Sequence, residues 1–165
     1  YSRVSYLANQ SKDDSLFFVH NEIGFNYKMS NLSAALGIAQ INKINKILKI
    51  KKMIYMTYLK LFKQNSNNKF LHSPSYALSN NWMNIIIFNK KLSLKDKNEY
   101  IKFAEKNYIQ IRPVWKLNHL QKQFTKYQTY KINNSLKLYN NSFCIPSDVN
   151  LDKKDIKLIH EKLNG

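Results

Sequence analysis

The stretch Asn21–Ile44, "NEIGFNYKMSNLSAALGIAQINKI", decides the fold, and two of the three glycines of the chain lie in it. Its first half, "NEIGFNYKMS", predicts a loop that ends at a helix N-cap supplied by Ser30 or Asn31. From Leu32 onward, apolar residues recur at spacings of three and four, which predicts a helix with one apolar face. We expect one long helix over residues 30–62 that links two parts of a larger protein.

Three polar residues stand just ahead of this helix. Asn26, Tyr27 and Lys28 offer an amide, a phenol and an ammonium group next to a helix N-terminus, where unsatisfied N–H groups favour phosphate. An ordinary capped surface loop explains the same residues, and physics alone favours it. Gly24 is expected to allow a positive φ, and Gly37, which lies among alanines, is expected to meet a closely packed partner.

The rest of the chain alternates between strand and helix patterns. The predicted elements are strands at 81–88, 108–115 and 142–147, and helices at 93–107, near 132–139 and at 151–163. Ser93 is the expected cap of its helix, and Pro113 places its strand at a sheet edge. This order predicts a small α/β domain over residues 63–165, in which helices cover one sheet.

A second group of candidate site residues follows the middle strand. Arg112, in "RPVW", is one of only two arginines, and a guanidinium at a strand end can hold a carboxylate or a phosphate. His119 follows Trp115 by four residues and could act as an acid, a base or a hydrogen-bond donor. A structural ion pair for Arg112 and a satisfied surface position for His119 explain the same pattern, and the residues alone slightly favour this explanation.

Composition excludes several classes of protein. The chain has 165 residues, 44% of them hydrophobic, which is enough for a buried core. No apolar run approaches the ~20 residues that span a bilayer, and we expect no secretory leader, since "YSRVSYLANQ" contains no apolar stretch of the kind that a leader requires. Cys144 is the only cysteine, so an internal disulfide and a thiolate zinc site are excluded. No metal site is predicted, and these features favour the cytoplasm.

The net charge of +17 could indicate a nucleic-acid partner. Nearly all of this charge is lysine spread along the chain, whereas specific readers of DNA and RNA depend on arginine forks and stacked aromatic rings. We therefore expect no nucleic-acid partner, although the charge could attract a phosphorylated ligand.

The block from Asn21 to Ile44 closely resembles a conserved block of the DegT/DnrJ/StrS sugar aminotransferases. The later segments "NNWMNIIIF", "RPVWKLNHLQKQF" and "FCIPSDVNL" are similar to further segments of that family, in the same order. The "RPVW" and "LNHL" segments look most like the branch that acts on UDP-linked amino-dideoxy sugars of the bacillosamine or legionaminic-acid type. The resemblance covers essentially the whole chain.

The resemblance implies an α/β fold, the C-terminal part of a fold-type I transferase that depends on pyridoxal 5'-phosphate (PLP). Residues 1–29 would end the large PLP-binding domain, residues 30–62 would form the linking helix, and residues 63–165 would form the small domain. Such enzymes are cytoplasmic homodimers that move an amino group from an amino acid, usually glutamate, to a nucleotide-linked keto sugar for surface glycans.

The resemblance also implies roles for individual residues. Asn26 would reach the PLP phosphate bound by the partner subunit. Tyr27 and Lys28 would meet phosphate or the nucleotide, and Arg112 and His119 would border the sugar pocket. The family usually has arginine where this chain has Lys28, which keeps the charge but loses the bidentate geometry.

No catalytic residue is assigned in this chain. In the family, the lysine that binds PLP covalently lies upstream of the position that corresponds to Tyr1, and most of the large domain would be absent. We therefore expect the chain to be inactive alone. Other hypotheses remain: a catalytically inactive remnant or interaction module, and a basic nucleic-acid-binding domain. Within the family, a dehydratase relative with histidine in place of the PLP-binding lysine is a narrower alternative.

Overall fold

The computed structural model describes residues 1–14, 16–64 and 67–164. The chain divides into two compact units, Tyr1–Ile44 and Asn45–Gly165. The boundary between them lies inside the segment for which the sequence predicts a single linking helix.

The first unit contains two helices and a short hairpin. Helix α1 spans Ser2–Ala8, and strands β1 (Lys12–Asp14) and β2 (Val19–His20) pair in the antiparallel direction. Helix α2 spans Asn31–Ile41. The side chain of Ser30 accepts a hydrogen bond from the Ser33 amide at 3.2 Å, so the predicted N-cap is confirmed.

The structure has two helices where the sequence predicts one. Helix α2 ends at Ile41, and helix α3 spans Ile44–Gln64. The Asn42 amide donates to the Ile38 carbonyl four residues back, whereas the Lys43 amide donates to the Gln40 carbonyl three residues back, both at 3.0 Å. The hydrogen bond of Lys43 spans three residues instead of four, which tightens the last turn of α2 and ends the helix.

Helix α2 buries no residue within the described part of the chain. Its large aliphatic side chains are 62–82% exposed, namely Leu32, Leu36, Ile38 and Ile41. An added Cβ at Gly37 would meet no atom within 4 Å. The close packing partner that the sequence predicts for Gly37 is therefore not present among the described residues.

The second unit is built on a four-stranded antiparallel sheet in the order β3-β4-β6-β5. The strands are β3 (Lys69–Phe70), β4 (Asn84–Ile87), β5 (Arg112–Pro113) and β6 (Ser142–Ile145). The helices that follow α3 are α4 (Leu94–Lys106), α5 (Asn133–Asn141) and α6 (Lys153–Asn164). Two 3₁₀ turns, Asn118–Leu120 and Lys122–Phe124, lie between β5 and α5.

The core lies on one face of this sheet. In the register of β4 and β6, Ile86 stands opposite Phe143, and both side chains are fully buried. They belong to one apolar cluster with residues of three helices, including Tyr58 of α3, Ala104 of α4 and Ile156 of α6. The opposite face, which carries Ile85 and Ser142, is lined by α5 and the segment after β5.

The α/β class and most elements of the second unit agree with the sequence prediction. The strand predicted over 108–115 shortens to Arg112–Pro113, and this strand is an edge strand as Pro113 indicates. The sequence does not predict strand β3, because two residues are too few to show an alternation of apolar and polar side chains. Within the described residues, no helix combines the length and apolar character needed to cross a bilayer.

Candidate functional site

The turn that carries Asn26 is held by the backbone at the end of α1. The Phe25 amide donates to the Leu7 carbonyl at 2.7 Å, and the Tyr27 amide donates to the Ala8 carbonyl at 3.0 Å. Asn26 forms an isolated antiparallel bridge with Asn9. Because these contacts are made by the backbone, they fix the turn and leave its side chains available for other partners.

The side chains of this turn project into solvent. The rings of Phe25 and Tyr27 stack with centroids 5.2 Å apart and planes 17° apart. Tyr27 is 77% exposed, and Asn26 and Lys28 are exposed as well. The structure thus presents an amide, a phenol and an ammonium group on one short anchored segment.

Gly24 allows this turn to lie close to the backbone of Gln10 and Ser11. A Cβ at position 24 would overlap backbone atoms of Gln10 and Ser11. No described glycine has a positive φ, so the expectation of a positive φ at Gly24 is wrong. The segment that Gly24 approaches has the left-handed conformation instead, because Gln10 and Ser11 have φ of 66° and 50°. Glycine at position 24 is required by a close backbone approach.

Side-chain contacts brace the hairpin beside this turn. The Tyr6 hydroxyl donates to the Asp13 carboxylate at 2.9 Å, and the Asn21 amide donates to the same carboxylate at 2.9 Å. The hydrogen bond from the Asn21 backbone, with that from Tyr6, lowers the pKa of Asp13. Arg3 forms a bidentate ion pair with Glu22 and lowers the pKa of this carboxyl group.

Arg112 lies in the edge strand β5, opposite Cys144 of β6. Its side chain is exposed, and the ion pairs found among the described residues do not include it. The structural ion pair considered from the sequence is therefore not formed within the described chain. The guanidinium remains available at the sheet edge for a carboxylate or a phosphate.

His119 lies in the 3₁₀ turn Asn118–Leu120 and is half-buried. Its Nε2 atom is buried and has no hydrogen-bond partner among the described residues. The ring lines a cavity of about 370 Å³ together with Tyr127, Gln128 and Tyr130. A buried ring nitrogen without a partner is costly, so this position suits a ligand or a water molecule.

The predicted site residues thus form two groups. Asn26, Tyr27 and Lys28 are consecutive in the first unit, whereas Arg112 and His119 belong to the second. Sequence reasoning missed the cavity residues after His119. The segment "YQTY" at 127–130 combines aromatic rings with hydrogen-bonding groups, and this composition was the available signal.

Comparison with solved structures defines the class of this fold. The chain aligns with PseC of Helicobacter pylori, an aminotransferase of pseudaminic acid biosynthesis, over 96% of its length and 43% of that chain, with a TM-score of 0.79 and 19% identity. It aligns with Spr1654 of Streptococcus pneumoniae, described as a sugar aminotransferase, over 99% of its length and 42% of that chain, with a TM-score of 0.81 and 20% identity. The fold is that of a part of a sugar aminotransferase.

The sequence of residues 1–164 matches the DegT/DnrJ/EryC1/StrS aminotransferase family, and the chain belongs to this family. EpsN of Bacillus subtilis, described as a pyridoxal phosphate-dependent aminotransferase, is 27% identical over 157 residues. That alignment covers 93% of this chain and 40% of EpsN. The chain therefore spans about two fifths of the length of the relatives that it matches.

Proposed function

We propose that this chain is part of a PLP-dependent aminotransferase that moves an amino group from an amino acid to a 4-keto sugar linked to a nucleotide. The expected donor is glutamate, and the expected acceptor is a UDP-linked amino-dideoxy sugar used for surface glycans. The observation that carries the proposal is the family match over residues 1–164. A cytoplasmic homodimer is the expected assembly.

Asn26 fits a contact with the PLP phosphate. Its side chain is exposed, and no residue in the described part of the chain gives it a hydrogen bond. The backbone bridge to Asn9 fixes the position of Asn26 and leaves its side-chain amide available for a ligand. Lys28, two residues on, adds a positive charge that favours an anion. Both residues would act on a cofactor bound by the partner subunit.

When bound, PLP acts as an electron sink at the carbon that gains or loses the amino group. The described residues of this chain would contribute binding and orientation. Asn26 and Lys28 would hold phosphate, and the exposed ring of Tyr27 would lie beside the same ligand. Arg112 and His119 would hold anionic and hydroxyl groups of the sugar nucleotide.

The test uses the complete protein that contains this chain. Purified protein is expected to carry PLP and to convert a UDP-linked 4-keto sugar into its amine with glutamate, as read by mass spectrometry. Asn26→Ala should weaken PLP retention about tenfold, since a charge-assisted hydrogen bond is lost. Asn134→Ala, an exposed asparagine in α5, is the matched control and should leave PLP retention unchanged.

A PLP-loaded protein that forms no amine would contradict the proposed reaction. Failure to bind PLP at all would favour an inactive remnant or an interaction module. Salt-sensitive binding to generic DNA would instead support the basic nucleic-acid-binding domain.

A further inference from the structure

The outer side of helix α3 carries a row of lysines. This helix contains six lysines and no aspartate or glutamate. With about 3.6 residues per turn, five of the lysines fall within about one third of the helix circumference. All five are exposed, and together they form the lysine face: Lys46, Lys49, Lys52, Lys60 and Lys63.

The opposite side of α3 is occupied by the core. Tyr58 and Phe62 are buried there. The sixth lysine, Lys51, lies on this inner side, and its Nζ atom donates hydrogen bonds to the carbonyl and the hydroxyl group of Ser147. In the described part of the chain, no hydrogen bond or ion pair engages a side chain of the lysine face. Its ammonium groups are therefore available to an outside partner.

The positive charge of this face is not balanced by neighbouring sequence. Between Glu22 and Asp96 the chain contains no acidic residue. The row from Lys46 to Lys63 extends about 25 Å at the rise of an α-helix. This length exceeds the distance of about 8–10 Å over which physiological salt screens a charge. A partner that matches the whole row must carry negative charge over a similar length.

Methionine side chains lie among these charges. Met56 is 51% exposed, and it lines one groove together with Met53, Lys60 and Lys63. Lys153, at the start of α6, lines the same groove and adds a further positive charge. Methionine is apolar and flexible, so it can enter the boundary between lipid head groups and acyl chains while lysines contact the phosphates.

An anionic phospholipid surface fits this combination better than a nucleic acid does. Specific recognition of DNA and RNA uses arginine forks and stacked aromatic rings, and the lysine face contains neither. Lysine is a compact charge on a flexible stem, which suits phosphates that have no fixed arrangement. Because the row follows one helix, it can meet a flat surface along its whole length.

We propose that the lysine face of α3 binds the surface of a bilayer that contains anionic phospholipid, with Met56 at the head-group boundary. This association is peripheral, and it needs no spanning helix. It is separate from the proposed amino transfer, because it uses none of the residues assigned to PLP or to the sugar nucleotide.

The experiment is flotation of the complete protein that contains this chain with phosphatidylcholine vesicles, prepared with and without phosphatidylglycerol. Binding is expected only with phosphatidylglycerol and should weaken as salt is added. Each lysine near an anionic bilayer strengthens binding about fivefold, so Lys60→Gln should raise the lipid concentration for half-binding by that factor. Glutamine at Lys49, Lys52, Lys60 and Lys63 together should raise it by more than about a hundredfold.

Met56→Gln tests the apolar contact without a change of charge. It should weaken vesicle binding about threefold, because less apolar surface enters the head-group boundary. Leu94→Gln is its matched control, since Leu94 is exposed on α4, outside the lysine face. This control should bind vesicles as the parent does.

The matched control for the four-lysine variant removes the same charge from exposed positions outside α3, by glutamine at Lys90, Lys91, Lys102 and Lys106. A cooperative thermal transition for each variant shows that it is folded. Equal weakening by the two four-lysine variants, or no vesicle binding by the parent at low salt, would overturn the proposal. Tighter binding to duplex DNA or polyglutamate than to vesicles of equal anionic charge would also overturn it. Because flotation needs no substrate, either result leaves the proposed amino transfer standing.

Discussion

Gly24 lies so close to the backbone of Ser11 that a Cβ at position 24 would overlap the Ser11 amide nitrogen. Ser11 is fully buried, and the clash involves backbone atoms that cannot rotate away. We expect Gly24→Ala to separate the two segments and to lower the free energy of unfolding of the first unit by about 1–3 kcal/mol. Chemical denaturation followed by the amide signals of residues 1–44 measures this change.

Gly37→Ala is the control for that variant. The space around Gly37 is open within the described chain, and alanine favours a helix over glycine by about 1 kcal/mol. This variant should therefore stabilise α2. If the two alanine variants changed stability by the same amount and in the same direction, close approach could not explain Gly24.

Helix α4 begins with a capping box that gives a second prediction. The Asp96 amide donates to Ser93 Oγ at 3.1 Å, and the Ser93 amide donates to the Asp96 carboxylate at 2.8 Å. Ser93→Ala should reduce the free energy of unfolding of the second unit by about 1 kcal/mol, as measured by urea denaturation. Ser75→Ala, at an exposed turn, should have little effect.

The same capping box has a defined pH dependence. Hydrogen bonds from Ser93 lower the pKa of Asp96, so the folded state favours the ionised carboxylate. This contribution is present above the unfolded pKa of about 3.9 and is lost as the pH falls through the lower folded pKa. In acid, the stability difference between the Ser93→Ala variant and the parent should therefore shrink. A constant difference across that range would contradict this assignment.

His160 of α6 gives a prediction at higher pH. The ring is buried edge-on against Phe62, with centroids 4.8 Å apart, and burial lowers the pKa of His160, which the nearby Glu161 partly opposes. The folded state thus favours the neutral ring. The stability of the second unit should fall as the pH drops below about 6.5, because the unfolded chain binds the proton more readily.

His160→Leu should reduce this pH dependence, since leucine keeps an apolar contact with Phe62 and cannot take up a proton. Urea midpoints at about pH 7.5 and about pH 5.5, on either side of the ordinary histidine pKa, measure the effect. His72→Leu replaces an exposed histidine and is the matched control. If it removed the dependence as fully as His160→Leu, burial of His160 would not be the cause.

Elements with strong local signals could be predicted from the sequence. The run of apolar residues at 85–88 predicts β4. Ser93 is a recognisable helix cap because Asp96 follows it by three residues, and the two side chains accept hydrogen bonds from each other's backbone amides. The turn that carries Asn26 could also be predicted from the sequence, because its residues form one contiguous motif. Local chemistry and contiguous motifs are properties that a sequence carries directly.

Features that depend on distant contacts could not be predicted in the same way. The apolar residues change face between Ala39 and Ile41, only two positions apart, but the spacings of three and four on either side still suggest one helix where the hydrogen bonds define two. Gly24 is explained by the path of the chain at Ser11, thirteen positions earlier. The cavity at His119 is closed by 3₁₀ turns, which have no apolar periodicity, and only folding brings Gln128 to it.

The two units differ in what their unfolding would expose to water. Ser11 is the only buried residue among the described residues of the first unit, and every buried apolar side chain belongs to the second. The heat-capacity increase on unfolding comes mainly from newly hydrated apolar surface. The heat-capacity increase on unfolding of this chain would therefore come mainly from the second unit, while unfolding of the segment that carries Asn26 would change the heat capacity little.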